Sequence, residues 1–156
     1  MDKGLKKQVS SQQEHKIASF LGWRVVSGSG ARFDPGDISS ELWLGECKTH
    51  VEGGHKIEFK LDVWKKISTE ALSKFRMPAY FVDDGTRDLR STWVMIPRVS
   101  FPFKTWIKEE VEINKKSLVF NDSDFNHQDN LYPYTLQGEK VFVCRIYTFS
   151  AVAELI

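Results

Sequence analysis

The stretch from Asp34 to Lys48, Asp-Pro-Gly-Asp-Ile-Ser-Ser-Glu-Leu-Trp-Leu-Gly-Glu-Cys-Lys, constrains the fold more than any other part of the chain. Its second half, Leu42 to Thr49, is short, apolar and bounded by polar residues, which is the pattern of a strand. Side chains alternate across a strand, so Leu42, Leu44, Glu46 and Lys48 share one face. A carboxylate and an ammonium thus project from one face of a strand apolar enough to be buried. Charges are seldom buried without a partner or a task. Asp37 lies just upstream, at the start of a preceding strand, and the short Ser39-Ser40-Glu41 link folds that strand back as a hairpin. The hairpin brings Asp37 beside Glu46.

Two carboxylates and a lysine on one sheet face make a cation site. Mg²⁺ takes hard oxygen ligands and often only one or two protein carboxylates, leaving waters and substrate phosphate to complete its shell. Such an ion polarises a phosphodiester and acidifies water. The lysine adds positive charge near the attacking water and the phosphate.

Asp37 followed by Glu46-Cys47-Lys48 resembles the D…(D/E)-x-K signature of the PD-(D/E)XK nucleases. Within that superfamily, Gln13 to about Asp83 is similar to Holliday-junction resolvases of the archaeal type and their phage relatives. The matching parts are an early helix bearing Glu14, a strand ending in Ser27-Gly28-Ser29-Gly30, the aspartate, the Glu-x-Lys strand, a helix containing Trp64, and Pro78-Ala79-Tyr80-Phe81-Val82 as a further strand. The family's Pro-Asp stands here as Gly36-Asp37, with Asp34-Pro35 just before it. Asp37 is the assigned ligand and Asp34 the alternative.

The resemblance implies an α/β fold: a mixed central β-sheet flanked by helices, a restriction-endonuclease-like core with the metal site on one edge. It further implies Mg²⁺, with Mn²⁺ as a substitute, held by Asp37, Glu46 and the Cys47 carbonyl. Glu14 completes the set and Lys48 activates the water. Hydrolysis by this family leaves 5′-phosphate and 3′-hydroxyl ends.

At 156 residues the chain is expected to form one domain spanning 1–156, with the core motifs in 13–83 and a less legible C-terminal extension over 98–156. Hydrophobic content of 41% is enough for a real core, and no apolar run approaches the ~20 residues of a membrane span. The N-terminus lacks a signal-peptide apolar region. Cys47 and Cys144 are far apart and form no metal-type pair, so a reduced, cytoplasmic setting is expected. The net charge of +1 argues mildly against strong nonspecific DNA binding; the small positive excess falls in the first half.

Along the chain, Lys3, Lys6 and Lys7 are either a solvated terminus or a phosphate-contacting arm. Ser11-Gln12-Gln13-Glu14 matches a capping box opening a helix that runs to Leu21 and stops near Gly22. Glu14, Ile17, Ala18 and Leu21 share a face of it, so Glu14 either caps the helix or reaches the sheet. Trp23 to Ser27 reads as a strand, and Ser29 and Arg32 in the glycine-rich loop after it are candidate DNA contacts. His50 and His55 read as exposed loop residues. Glu58-Phe59-Lys60 is a second Glu-x-Lys, treated as a decoy because no apolar strand precedes it, with Lys60 still able to reach phosphate.

Leu61 to Phe75 has helical spacing, with Trp64 read as core. Ala79–Val82, Trp93–Ile96, Lys116–Phe120 and Val141–Tyr147 read as strands. Asn121 to Asn130, with Asp122, Asp124, His127 and Asp129, reads as a solvated loop. The aromatic run Phe101 to Ile107 is a candidate partner interface.

The function expected from the sequence is a metal-dependent DNA endonuclease selective for branched DNA. It would act as a homodimer, since paired cuts are most simply made with two-fold symmetry. The alternatives are a restriction- or repair-type nuclease on linear duplex, and a non-catalytic DNA-binding protein on the same fold.

Overall fold

A computed structural model of the chain describes residues 3–26, 36–49, 56–101, 107–125 and 130–156, with backbone only over 3–10. In chain order the elements are α1 (Lys3–Leu21), β1 (Arg24–Val25), β2 (Ile38–Ser39), β3 (Trp43–Thr49), β4 (Lys56–Lys60), α2 (Leu61–Ser73), β5 (Met77–Asp83), β6 (Thr92–Pro97), β7 (Val111–Ile113), β8 (Ser117–Asn121), β9 (Tyr132–Leu136), β10 (Glu139–Arg145) and α3 (Ile146–Ala153). Eight strands form one mixed sheet in the order β1-β2-β3-β5-β6-β10-β9-β7, and β4 and β8 form a separate ribbon. Among the described strands β3–β5 and β7–β9 pair in parallel, and Ile107 bridges Leu131 in the same sense. A parallel pair needs a crossover, and here β4 and α2 supply it between β3 and β5.

The strands at the centre are apolar on both faces, and the period of two sorts their residues into two cores. Leu44, Tyr80, Val82, Trp93, Met95, Val141 and Val143 meet Trp64, Ile67 and Ala71 of α2, together with Ile57, Phe59, Leu118 and Phe120 of the ribbon. Their neighbours in sequence, Trp43, Cys47, Ala79, Phe81, Val94, Ile96, Phe142 and Cys144, face the other way, onto Ile17 and Ala18 of α1 and Phe149 and Val152 of α3. Each fully buried large side chain contributes about 1.5–3 kcal/mol relative to exposure. The molecule is therefore a mixed α/β sandwich with helices on both sheet faces.

Several expectations need correction. α1 begins at or before Lys3, so Ser11 sits inside the helix and caps nothing. The segment ahead of it carries Leu, Lys and Gln, all good helix formers, and no proline. The glycine stop is as expected, with Gly22 at φ 71°. Of the strand read over Trp23–Ser27, the described residues form β1 at Arg24 and Val25, and Ser27 lies outside them. Glu58-Phe59-Lys60 does lie on a strand, β4, whose Ile57 and Phe59 are fully buried. The last sheet strand ends at Arg145, and residues 146 onward turn into α3.

Asp122 is not a solvated loop residue: it accepts from Trp93 Nε1 at 2.7 Å and is ion-paired with Arg145. The Arg145 guanidinium lies 4.6 Å from the Trp93 ring centre. Phe101 and Ile107 pack against the protein's own core rather than lining a free interface, and the aromatic residues between them lie outside the described residues. Among the described residues, no helix is long and apolar enough to cross a membrane.

Gly45 pairs with Ile38 of β2 and Ala79 of β5, where the strands leave no room for a side chain. A Cβ there would stand 2.8 Å from Ile38 Cγ1 and 2.9 Å from Phe81 Cε2, both on fully buried residues. Gly45→Ala is expected to cost about 1–3 kcal/mol by overpacking. That is a fall of roughly 2–10 °C in the thermal midpoint measured by circular dichroism. An unchanged midpoint would show that the three strands are not packed as described.

Candidate metal centre

The site grows from the β2–β3 register. Ile38 pairs with Gly45 and Ser39 with Leu44 in antiparallel sense, which brings Asp37, just before β2, beside Glu46 and Cys47. The turn uses Ser40, Glu41 and Leu42: the Ser40 N–H donates to the Trp43 carbonyl, and the Trp43 N–H to Ser40 Oγ. Asp37 is fixed on both sides. Its N–H donates to the Gly45 carbonyl at 2.8 Å, and its carbonyl accepts from the Val26 N–H at 2.9 Å. Its carboxylate Oδ2 accepts from the Cys47 N–H at 2.8 Å.

Gly36 has φ 80°, which proline cannot adopt, and a Cβ there would stand 2.7 Å from Leu44 Cδ1.

Glu46 is half-buried beside Asp37, and its Oε1 lies 3.4 Å from Lys48 Nζ. Lys48, two residues along β3 on the same face, keeps 55% of its side chain exposed and can reach a ligand. The N–H and C=O of a strand residue project to the same side. The Cys47 carbonyl therefore faces the Asp37 side, as its N–H does. The Cys47 thiol points into the second core, where burial raises its pKa and keeps it an inert thiol.

Three carboxylates are electrostatically linked here. Burial raises the pKa of Asp37. Burial, with the charge of Asp37 adding to it, raises Glu46. Burial, and then the charges of Asp37 and Glu46, push Glu14 up to about 7. The charge of Lys66 on α2, which the sequence did not single out, lowers both Asp37 and Glu46, while its ammonium lies 4.0 Å from Glu70.

Carboxylates that resist ionising in each other's company are relieved by a proton or a cation. The donors are hard oxygens, matching Mg²⁺ or Mn²⁺. Among the described residues, no three His, Cys, Asp or Glu side chains form a ready-made ligand set. Asp37, Glu46 and the Cys47 carbonyl offer oxygen donors beside one another, with Glu14 coupled to them electrostatically.

Gln13 and Asp83 are further residues that the sequence did not reveal. Gln13 Nε2 donates to the Lys48 carbonyl at 2.7 Å and to Asp83 Oδ2 at 3.4 Å. Asp83, fully buried at the end of β5, also accepts from Thr49 Oγ1 at 2.5 Å and from the Gly85 N–H. This network ties α1, with Glu14, to the backbone of the lysine strand. Gln13 Oε1 is buried with no hydrogen-bond partner. Only tertiary contact makes these roles, so sequence spacing offered no signal for them.

Lys60 lines the same groove as Lys48, while Lys6 and Lys7 lie in the first turns of α1 with their side chains not described. Ser29, Arg32, Asp34, His50 and His55 lie outside the described residues. No family model, no curated protein and no solved structure matches this chain.

Glu14 carries a pH signature. An acid whose folded pKa lies above its unfolded one holds more protons folded than unfolded, so stability falls as pH rises between the two. Without metal, the wild-type thermal midpoint should drop relative to Glu14→Gln as pH rises from 4.5 to about 7, and the gap should be full above that. Melts in a chelating buffer across this range check it. A difference that does not vary with pH would contradict the coupling.

Proposed function

We propose that this chain is a divalent-metal-dependent DNA endonuclease of the PD-(D/E)XK type, with a restriction-endonuclease-like core. The observation that carries the reading is Asp37 bonded to the Cys47 N–H beside Glu46, with Lys48 on the strand face of Glu46. Mg²⁺ or Mn²⁺ bound there would polarise the scissile phosphodiester and acidify water. Asp37 and Glu46 offer carboxylate oxygens, and the Cys47 carbonyl is a further ligand. The Asp37–Cys47 hydrogen bond aims the aspartate and leaves its second oxygen for the ion. Lys48 holds the attacking water and a phosphate oxygen. Glu14, pushed up to about 7, sits in the range where a carboxylate can take or give a proton near neutrality.

A non-catalytic role is disfavoured, because holding these carboxylates together costs stability that no binding function requires. The resemblance to junction resolvases favours branched DNA over linear duplex. The low net charge supports this by limiting affinity for plain duplex. A two-fold dimer would make the paired cuts.

The test is cleavage of labelled four-way junction, flap, linear duplex and single strand with Mg²⁺ or Mn²⁺. Cleavage of the junction is expected, with loss in excess chelator. Glu46→Gln and Asp37→Asn should lose on the order of 100-fold or more, beyond what outer-sphere partners cost, while still binding DNA in Ca²⁺. Lys48→Ala should behave likewise, and Asp34→Asn should change little. Cleavage undiminished by chelator, or by both carboxamide substitutions, would overturn the mechanism. Preferential cutting of linear duplex would favour a restriction- or repair-type role.

A further inference from the structure

We propose that a lysine-lined groove running away from Lys48 is the track that holds a phosphodiester strand on its way from the metal centre, with Lys65 and Lys116 as its far phosphate contacts. This rests on the nuclease reading above. Two adjoining cavities make the groove. The first, of about 320 Å³, is walled by Lys48, Thr49, Glu58, Lys60, Asp62 and Tyr80, among others. The second, of about 480 Å³, shares Glu58, Lys60 and Asp62 with it and extends to Lys65, Lys116 and Gln137. The start of the groove is therefore the lysine of the candidate centre, and its far end lies between the beginnings of α2 and β8.

The chemistry of the walls points to a polyanion. Four lysines, Lys48, Lys60, Lys65 and Lys116, stand against two acids, Glu58 and Asp62. Among the described residues, no ion pair engages the ammonium of Lys60, Lys65 or Lys116. Asp62 already accepts from the Val63 N–H of its own helix.

The placement is built rather than accidental. Ile57 and Phe59 are drawn into the core, which turns Glu58 and Lys60 of β4 outward. The Lys60 N–H donates to the buried Tyr80 hydroxyl, and the Leu61 N–H to the Lys116 carbonyl. These bonds lock the lysine-bearing backbone of β4 to β5 and to the residue leading into β8. Small anions would occupy one cavity, whereas a strand carries a phosphate at every step and can engage lysines along both. The second Glu-x-Lys, a decoy for chemistry, thereby gains a role in binding.

Binding of fluorescein-labelled four-way junction and of single-stranded DNA, in Ca²⁺ and across a salt series, tests this. Lys65→Gln/Lys116→Gln should weaken binding several-fold at low salt. It should also flatten the slope of log K against log salt by about 1.8 on duplex arms, or about 1.4 on single strand, for two lost phosphate contacts. Its thermal midpoint should match wild type, and Lys65→Arg/Lys116→Arg should restore the slope. A variant with wild-type slope and affinity would overturn the track while leaving the nuclease reading intact. A wild-type protein that binds neither DNA at any salt would overturn both.

Discussion

Everything proposed for this molecule depends on one hydrogen bond and the register that produces it: Asp37 Oδ2 accepting from the Cys47 N–H. That bond exists because β2 ends one residue past Asp37 on its upstream side, leaving the Cys47 N–H without a strand partner there. The carboxylate substitutes for the missing strand. A one-residue slip would move Asp37 away from Glu46 and turn every side chain of β2 to the other face. Gly36 and Gly45 guard against such a slip, since side chains at either position would collide with Leu44, Ile38 or Phe81.

The two charged clusters of the fold illustrate opposite solutions to burying charge. Asp122 and Arg145 neutralise one another, and the aspartate also accepts from the Trp93 indole while the guanidinium lies over its ring. That pairing fixes the loop after β8 against β6 and β10. Asp37, Glu46 and Glu14 instead bring like charges together, with Lys48 and Lys66 only partly offsetting them. Burial raises all three carboxylates, and repulsion adds to it at Glu46 and Glu14. Such an arrangement is unfavourable for the bare protein, and on the proposed reading a bound cation would relieve it.

The centre of the site was legible in the sequence because its signals are local. The period of two gave the β3 face, and the short polar link gave the hairpin that brings Asp37 beside Glu46. Trp64 was rightly read as core, since its spacing with Ile67 and Ala71 marks one helix face. Elements decided by tertiary packing were not legible. Ile146 and Tyr147 read as the end of a strand, yet Ile146–Ala153 becomes α3 because Phe149 and Val152 have a core to cover. Pro133 hid β9, although it precedes the residues that pair with β7 and so removes no bond on that side. Lys66, Gln13 and the Asp83 network belong to contacts between distant segments, for which no spacing rule exists.

The central claim is that Asp37 and Glu46 hold a divalent ion. Diffraction at the manganese absorption edge, from crystals grown with Mn²⁺ and a DNA strand to supply phosphate, tests it most directly. The account predicts one anomalous peak roughly 2 Å from an oxygen of each carboxylate and from the Cys47 carbonyl. No peak between Asp37 and Glu46 with phosphate present, or a peak held by other side chains, would contradict it.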